Sequence, residues 1–277
     1  MKRFSFSNNR GTTHLMGIIN ISADSFYEKS RCYSMNEVLA TAQKMISEGA
    51  DYLDLGAESS RPGSKPISDQ EEIDKLIPVL SLLAKKVDIP ISVDTYKPVV
   101  AHEALKVGAK IINDIRGLQK NSEMAEVISR FNGGVIIMHM KGSPLNMQEN
   151  PKYENVVNDV KKFLAKSIKI AENAGISPDQ VAVDPGIGFG KNQKHNLEIL
   201  KNLERFTELE KPILLGISRK SFIGNILNLP PEGRLEGSLA ASAIGVYKGV
   251  SILRTHDVKA TRKAIKVVEA IIQGENV

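Results

Sequence analysis

The sequence predicts an α/β protein, a single-domain TIM (β/α)8 barrel, from two observations. Eight short runs rich in Ile, Val and Leu recur along the 277 residues, and segments with apolar residues at i, i+3 and i+4 separate them. Near-continuous apolar strands, each followed by a helix, belong to a parallel sheet covered on its outer face. The count and the length match a barrel. Periodicity alone does not show closure, so a doubly wound open sheet stands as the alternative.

The first strand starts near residue 14 and reads LMGIINI (15–21), with a helical segment over 36–47. YLDLGA (52–57) precedes a helix over 69–86, ISV (91–93) one over 98–107, and KIIN (110–113) one over 123–131. GVIIM (134–138) leads into 155–173, VAV (181–183) into 197–209, PILLG (212–216) into 239–248, and SILR (251–254) into 258–272. No linker, low-complexity tract or sequence-level repeat interrupts this rhythm, which favours one domain over 1–277.

Composition is that of an ordinary globular protein, with 42% hydrophobic and 25% charged residues. The net charge is +5, but the basic residues are spread along the chain and form no arm suited to a phosphate backbone. We read the excess as a mild preference for anionic small ligands and expect no nucleic-acid partner. Cys32 is the single cysteine and reads as an incidental loop thiol; the opening MKRFSFSNNR lacks an apolar secretory core. Both features point to a reducing cytoplasm. No apolar segment approaches the roughly 18–20 residues that span a bilayer, so no membrane partner is expected.

In a barrel the chemistry gathers where strands end, and these ends are polar. In order they give Asn20; Glu58, Ser60 and Arg61; Asp94; Asn113 and Asp114; His139; Asp184; Ser218, Arg219 and Lys220; and Arg254 and His256. Singly, each could cap a helix or make a turn. Together they supply what a polar heterocycle with an anionic group needs: Asp94, Asn113 and Asp184 for ring NH and carbonyl groups, Lys220, Arg254 and His256 for negative charge. Basic groups after the last two strands fall where such barrels often hold phosphate. DPGIGFG (184–190) lacks the dinucleotide spacing; its glycines read as backbone lying close beside a flat ligand, with Phe189 as a wall. His139 has no second His or Cys at ligand spacing and reads as a supporting or structural residue.

These residues fall in a set of motifs: Asn20 with ADSF (23–26), ESSRPG (58–63), SVDTYKP (92–98), INDI (112–115), DPGIGFGK (184–191), SRKSFIG (218–224) and RTHDV (254–258). In order, and across essentially the whole chain, the set closely resembles the dihydropteroate synthase family. The resemblance implies a TIM barrel of folate biosynthesis that joins 6-hydroxymethyl-7,8-dihydropterin diphosphate to 4-aminobenzoate and releases pyrophosphate. It also implies Mg2+ and a homodimer. By matching motif, Asp94, Asn113, Asp184 and Lys220 become the pterin contacts and Asn20 the metal ligand. Ser60, Arg61, Arg254 and His256 become diphosphate contacts, and Pro62, Phe189, Ser221 and Phe26 line the aminobenzoate site.

The resemblance makes 22–30 a first mobile loop, with Asp24 and Glu28 its acids. Its sequence departs from the common form Thr-Pro-Asp-Ser-Phe-Ser-Asp-Gly-Gly, having lost the Pro and the Gly-Gly and carrying Glu28 in place of Asp. The rival functions are a pterin-binding methyltetrahydrofolate and corrinoid methyltransferase, which shares the barrel and pterin pocket, and a non-catalytic pterin-binding protein.

Overall fold

The computed structural model describes residues 3–6, 12–21, 31–121 and 123–274. Eight parallel strands follow the predicted runs: β1 (His14–Asn20), β2 (Tyr52–Gly56), β3 (Ile91–Asp94), β4 (Ile111–Asp114), β5 (Gly134–Met138), β6 (Val181–Asp184), β7 (Leu214–Gly216) and β8 (Ile252–Thr255). They pair in the order β6-β5-β4-β3-β2-β1-β8-β7. A parallel bridge between Val183 and Ile213 brings β6 to β7, with the Val183 N–H donating to Pro212 O at 2.9 Å. The sheet is thus a barrel, not an open doubly wound sheet.

The helices are α1 (Arg31–Ser47), α2 (Asp69–Leu83), α3 (Pro98–Val107), α4 (Glu123–Arg130), α5 (Val156–Asn173), α6 (Gln193–Lys201), α7 (Ser221–Leu227), α8 (Leu235–Tyr247) and α9 (Val258–Gln273). Local chemistry sets several starts. Ser68 Oγ accepts from the Glu71 N–H at 3.1 Å beneath an acidic first turn, and Asn155 Oδ1 accepts from the Asn158 N–H at 3.0 Å. Three predictions need correction. The helix expected over 197–209 begins at Gln193 because Asn192 caps it, and Asn202 divides it from a 3-10 segment, Leu203–Leu209. Helix α7 was not foreseen. Cys32 falls in the first turn of α1, not in a loop. Among the described residues no helix is long and apolar enough to cross a membrane.

Period-two alternation sorts each strand. Outward residues such as Leu53, Val93, Ile112, Val135 and Leu253 pack beneath the helices in the main core. Inward residues near the strand starts form a separate apolar cluster of Met16, Tyr52, Ile111, Ile136, Ala182, Leu214 and Ile252, joined by Phe4 and Phe6 from the N-terminal segment. Two residues further along the same inward rows stand Asp54, Asn113, Met138, Asp184 and Arg254. The barrel is therefore oily at its floor and polar towards its C-terminal face.

Candidate active site

Arg254 is the hub of the polar layer. Its Nε donates to Asp54 Oδ2 at 2.6 Å and its Nη2 to Asp94 Oδ2 at 3.1 Å, so β8 is tied across the barrel to β2 and β3. Asn113 Nδ2 donates to the same Asp54 oxygen at 3.3 Å. Among the described residues, the buried atoms Asp54 Oδ1, Asn113 Oδ1 and Ser92 Oγ find no hydrogen-bond partner. Burial raises the Asp94 carboxyl, against the pull of Arg254 and with a further push from Asp54. Burial likewise raises Asp184, although Lys220 opposes it. The Lys220 ammonium is lowered by burial to about 8, with Asp184 acting in the opposite sense. Such mutually offset, desolvated charges are the arrangement that a ligand with complementary donors and acceptors relieves.

Asp184 and Lys220 frame the turn after β6. Asp184 Oδ1 accepts from the Gly186 N–H at 2.7 Å, while Lys220 Nζ donates to Ile187 O and lies 4.7 Å from the centre of the Phe189 ring. Gly186 and Gly190 have positive φ, and a Cβ on either would meet neighbouring backbone, His139 O at 2.0 Å and Lys141 O at 2.3 Å. Their closest partner is thus the strand-five connection, which corrects the reading that all three glycines serve a ligand. Gly188 alone faces Lys220. Lys191, 2% exposed, pins this turn from below by donating to Gly186 O and Phe189 O, each at 2.9 Å, and to His139 Nδ1 at 2.8 Å. His139 is buried, its ring edge-on to Phe163 with centroids 4.8 Å apart, and it joins this tether.

An apolar wall of Ile115, Met138, Met140 and Met147, with Tyr96 and Phe189 packed on it, borders the polar layer. One side is therefore apolar, with the Tyr96 and Phe189 rings on it, and the other carries the carboxylates, which suits an aromatic heterocycle with polar edges. At the mouth, burial lowers the His256 imidazole to about 4, with Arg254, Arg219 and Arg61 acting in the same sense and Asp257 against them, so the ring is neutral; its Nδ1 lies 3.1 Å from Ser218 Oγ. Arg219 is already engaged by Asp257, Nε to Oδ2 at 2.9 Å and Nη2 to Oδ1 at 2.7 Å. Ser60, Arg61 and Pro62 lie on the β2–α2 connection, Ser221 opens α7 beside Lys220, and Asn20 is exposed at the end of β1. Asp24, Phe26 and Glu28 lie outside the described residues.

Sequence reasoning missed Asp54, whose signal was a carboxylate set inside the apolar run YLDLG. Lys191 and Lys97 entered it only as motif letters and Glu58 only as a strand-end acid, so the Lys191 tether and the pairing of Glu58 with Lys97 at 2.6 Å were missed. Asp114 proved structural: it accepts the Arg116 and Leu118 N–H groups, each at 2.8 Å, and burial raises its carboxyl to about 6.

A closed barrel with buried carboxylates, an amide, an ammonium and a guanidinium at one end, facing an apolar wall, is the site of a barrel enzyme acting on a planar polar ligand. The family described as "Pterin binding enzyme" matches residues 16–256. The dihydropteroate synthase of Escherichia coli K12 is 43% identical over 262 residues, covering 95% of this chain and 93% of that protein. A Yersinia pestis dihydropteroate synthase with a sulfonamide drug superposes with a TM-score of 0.88 at 41% identity, covering 95% of each chain. The Xanthomonas albilineans enzyme with 4-aminobenzoic acid gives 0.87 at 37% identity, covering 95% and 94%. The chain belongs to the dihydropteroate synthase family.

Proposed function

We propose that the chain condenses 6-hydroxymethyl-7,8-dihydropterin diphosphate with 4-aminobenzoate, giving 7,8-dihydropteroate and pyrophosphate in folate biosynthesis. The observation that carries this is the convergence of Asp94, Asn113, Asp184 and Lys220 around Arg254 at the barrel's C-terminal face. Asp94, Asp184 and the Asn113 Oδ1, which has no partner among the described residues, would accept hydrogen bonds from the N–H groups of the pterin, and Lys220 would donate to its carbonyl side. The carboxylates of Asp94 and Asp184 would also favour the cation that forms as the exocyclic carbon parts from the diphosphate. Arg61 at the mouth and Arg254 below it would stabilise the leaving group by charge, and the neutral His256 ring and Ser60 would add hydrogen-bond donors. Pro62, Phe189, Ser221 and Phe26 are proposed to shape the aminobenzoate site, with Asp24 and Glu28 on the first loop. Attack by the aniline nitrogen then needs no strong base.

We propose Mg2+ as an ion that would arrive bound to the diphosphate substrate. Among the described residues no three His, Cys, Asp or Glu could hold a metal, and the chain's offer is the hard amide oxygen of Asn20, with diphosphate and water left to complete the shell. When bound, such an ion neutralises charge on the diphosphate. We also propose a homodimer, supported by Ile244 and Tyr247 on α8 and Ile271 on α9, which are exposed. A single domain over 1–277 and a cytoplasmic location, the latter suggested by the single cysteine, complete the reading.

The deciding experiment is pyrophosphate release from the pterin diphosphate, expected only when aminobenzoate is present and inhibited competitively by sulfonamides. Methyl transfer from a methyltetrahydrofolate, or pterin binding without turnover, would favour the rival readings instead.

A further inference from the structure

The β2–α2 connection is closed at its base by a buried ion pair that lies outside the pterin pocket. Glu58 Oε2 accepts from Lys97 Nζ at 2.6 Å and from the Ile67 N–H at 3.1 Å. Lys97 Nζ in turn donates to Ile67 O at 2.7 Å. Both backbone groups of one residue are thus held by the two halves of one salt bridge. Lys97 is 8% exposed and also pairs with the buried Glu72 at 2.7 Å. The other oxygen of Glu58 accepts from Tyr96 Oη at 2.7 Å, and Tyr96 packs on the apolar wall of the site.

Ile67 directly precedes Ser68, the cap of α2, so the grip fixes the point where the loop meets its helix. Inside the loop, the single hydroxyl hydrogen of Ser64 is shared between Arg61 O, 2.7 Å from its Oγ, and Ser59 O, 2.5 Å away. The tip is tied by the Gly63 N–H to Pro144 O at 2.9 Å. Residues 59–66, including Ser60, Arg61 and Pro62, therefore hang from a charged clasp, while the pterin-facing Asp94, Asn113 and Asp184 are held by strands.

We infer that Glu58 and Lys97 are positioning residues that set the β2–α2 loop for the aminobenzoate and diphosphate end of the reaction without touching either substrate. This rests on the functional reading above. Such a clasp trades two buried charges for a fixed loop geometry, and removing one charge leaves the loop free to leave its register.

The test is Glu58→Gln, which keeps an acceptor but deletes the charge that holds Lys97. The KM for aminobenzoate should rise about fivefold or more, whereas binding of a pterin lacking the diphosphate should stay within about twofold of wild type, a split that general loss of stability does not produce. Unchanged aminobenzoate KM in the folded variant overturns the inference. A second measurement needs neither a variant nor a substrate. In the wild-type protein the Ile67 amide should exchange with deuterium about 100-fold more slowly than that of exposed Lys65. Equal exchange at the two positions overturns the inference even if Glu58→Gln fails to fold. Failure of the wild-type protein to release pyrophosphate would count against the functional reading alone.

Discussion

Asp54 and Arg254 are joined at 2.6 Å in the barrel interior, and the Asp54 side chain is 0% exposed. The pair joins β2 to β8 beneath the site, and Asp94 shares the same guanidinium at 3.1 Å. Asp54→Asn leaves a buried guanidinium with one carboxylate where it had two. The expected cost is about 3 kcal/mol, because breaking a buried pair from one side strands the other charge. Urea denaturation measures it, and a loss below about 1 kcal/mol would show that Asp94 alone holds Arg254.

Asp184 offers the more direct test of the pterin pocket. Asp184→Asn can keep the 2.7 Å bond from the Gly186 N–H through its amide oxygen, so the turn after β6 should survive. What it loses is the charge that strengthens a hydrogen bond from the pterin, and it presents an NH2 donor in its place. Affinity for the pterin diphosphate should fall about 10- to 100-fold, the value of a charge-assisted bond of roughly 1.5–3 kcal/mol. Calorimetry showing unchanged affinity in the folded variant would falsify the assignment.

The pH dependence follows from Lys220. Its ammonium loses its proton near pH 8, so kcat/KM for the pterin diphosphate should decline as pH rises through about 8. Asp184 helps to keep that proton in place, so in Asp184→Asn the decline should move to lower pH. Stability has the opposite sign. The unfolded chain keeps the proton to about 10.5 and the folded chain releases it near 8, so the unfolded state binds more protons between these values. Stability contributed by this group therefore rises across the window as activity falls. A pH–rate profile flat from 7 to about 9 would remove Lys220 from the pterin site.

The sequence showed the barrel and most of the polar strand ends for one physical reason. Strands buried on both faces must be apolar, so a polar residue where the run stops stands out; Asn20, Asp94, Asn113 and Asp184 all end or nearly end their strands. Asp54 escaped notice because it sits inside its run, where alternation sends it into the barrel lumen and not beneath a helix. Helix α7 was missed because seven residues with Gly224 among them show little periodicity. The clasp of Glu58 and Lys97 joins positions 39 residues apart, and no local pattern encodes such a pairing. Closure also lay beyond periodicity, since it depends on Val183 meeting Ile213.

The N-terminal segment supplies the remaining prediction. Phe6 is 2% exposed and stacks edge-on against Phe4, with ring centres 4.9 Å apart, in the cluster that fills the floor of the barrel. The backbone is fastened there as well, the Phe6 N–H donating to Asp179 O at 2.9 Å. Gly134 accommodates the arrangement, because a Cβ at that position would meet Phe4 Cδ1 at 2.5 Å. These rings cover the inward faces of strands at the end opposite Asp94, Asp184 and Arg254, so their contribution should be to stability and not to chemistry. Phe6→Ala removes a buried ring from a closed space and should cost about 3–5 kcal/mol in urea denaturation. Below its melting point the variant should keep wild-type kcat and both KM values, since the polar layer rests on its own strands. A folded Phe6→Ala protein with reduced kcat would show that packing at the floor reaches the carboxylates above it, and that the two layers of the barrel are one mechanical unit.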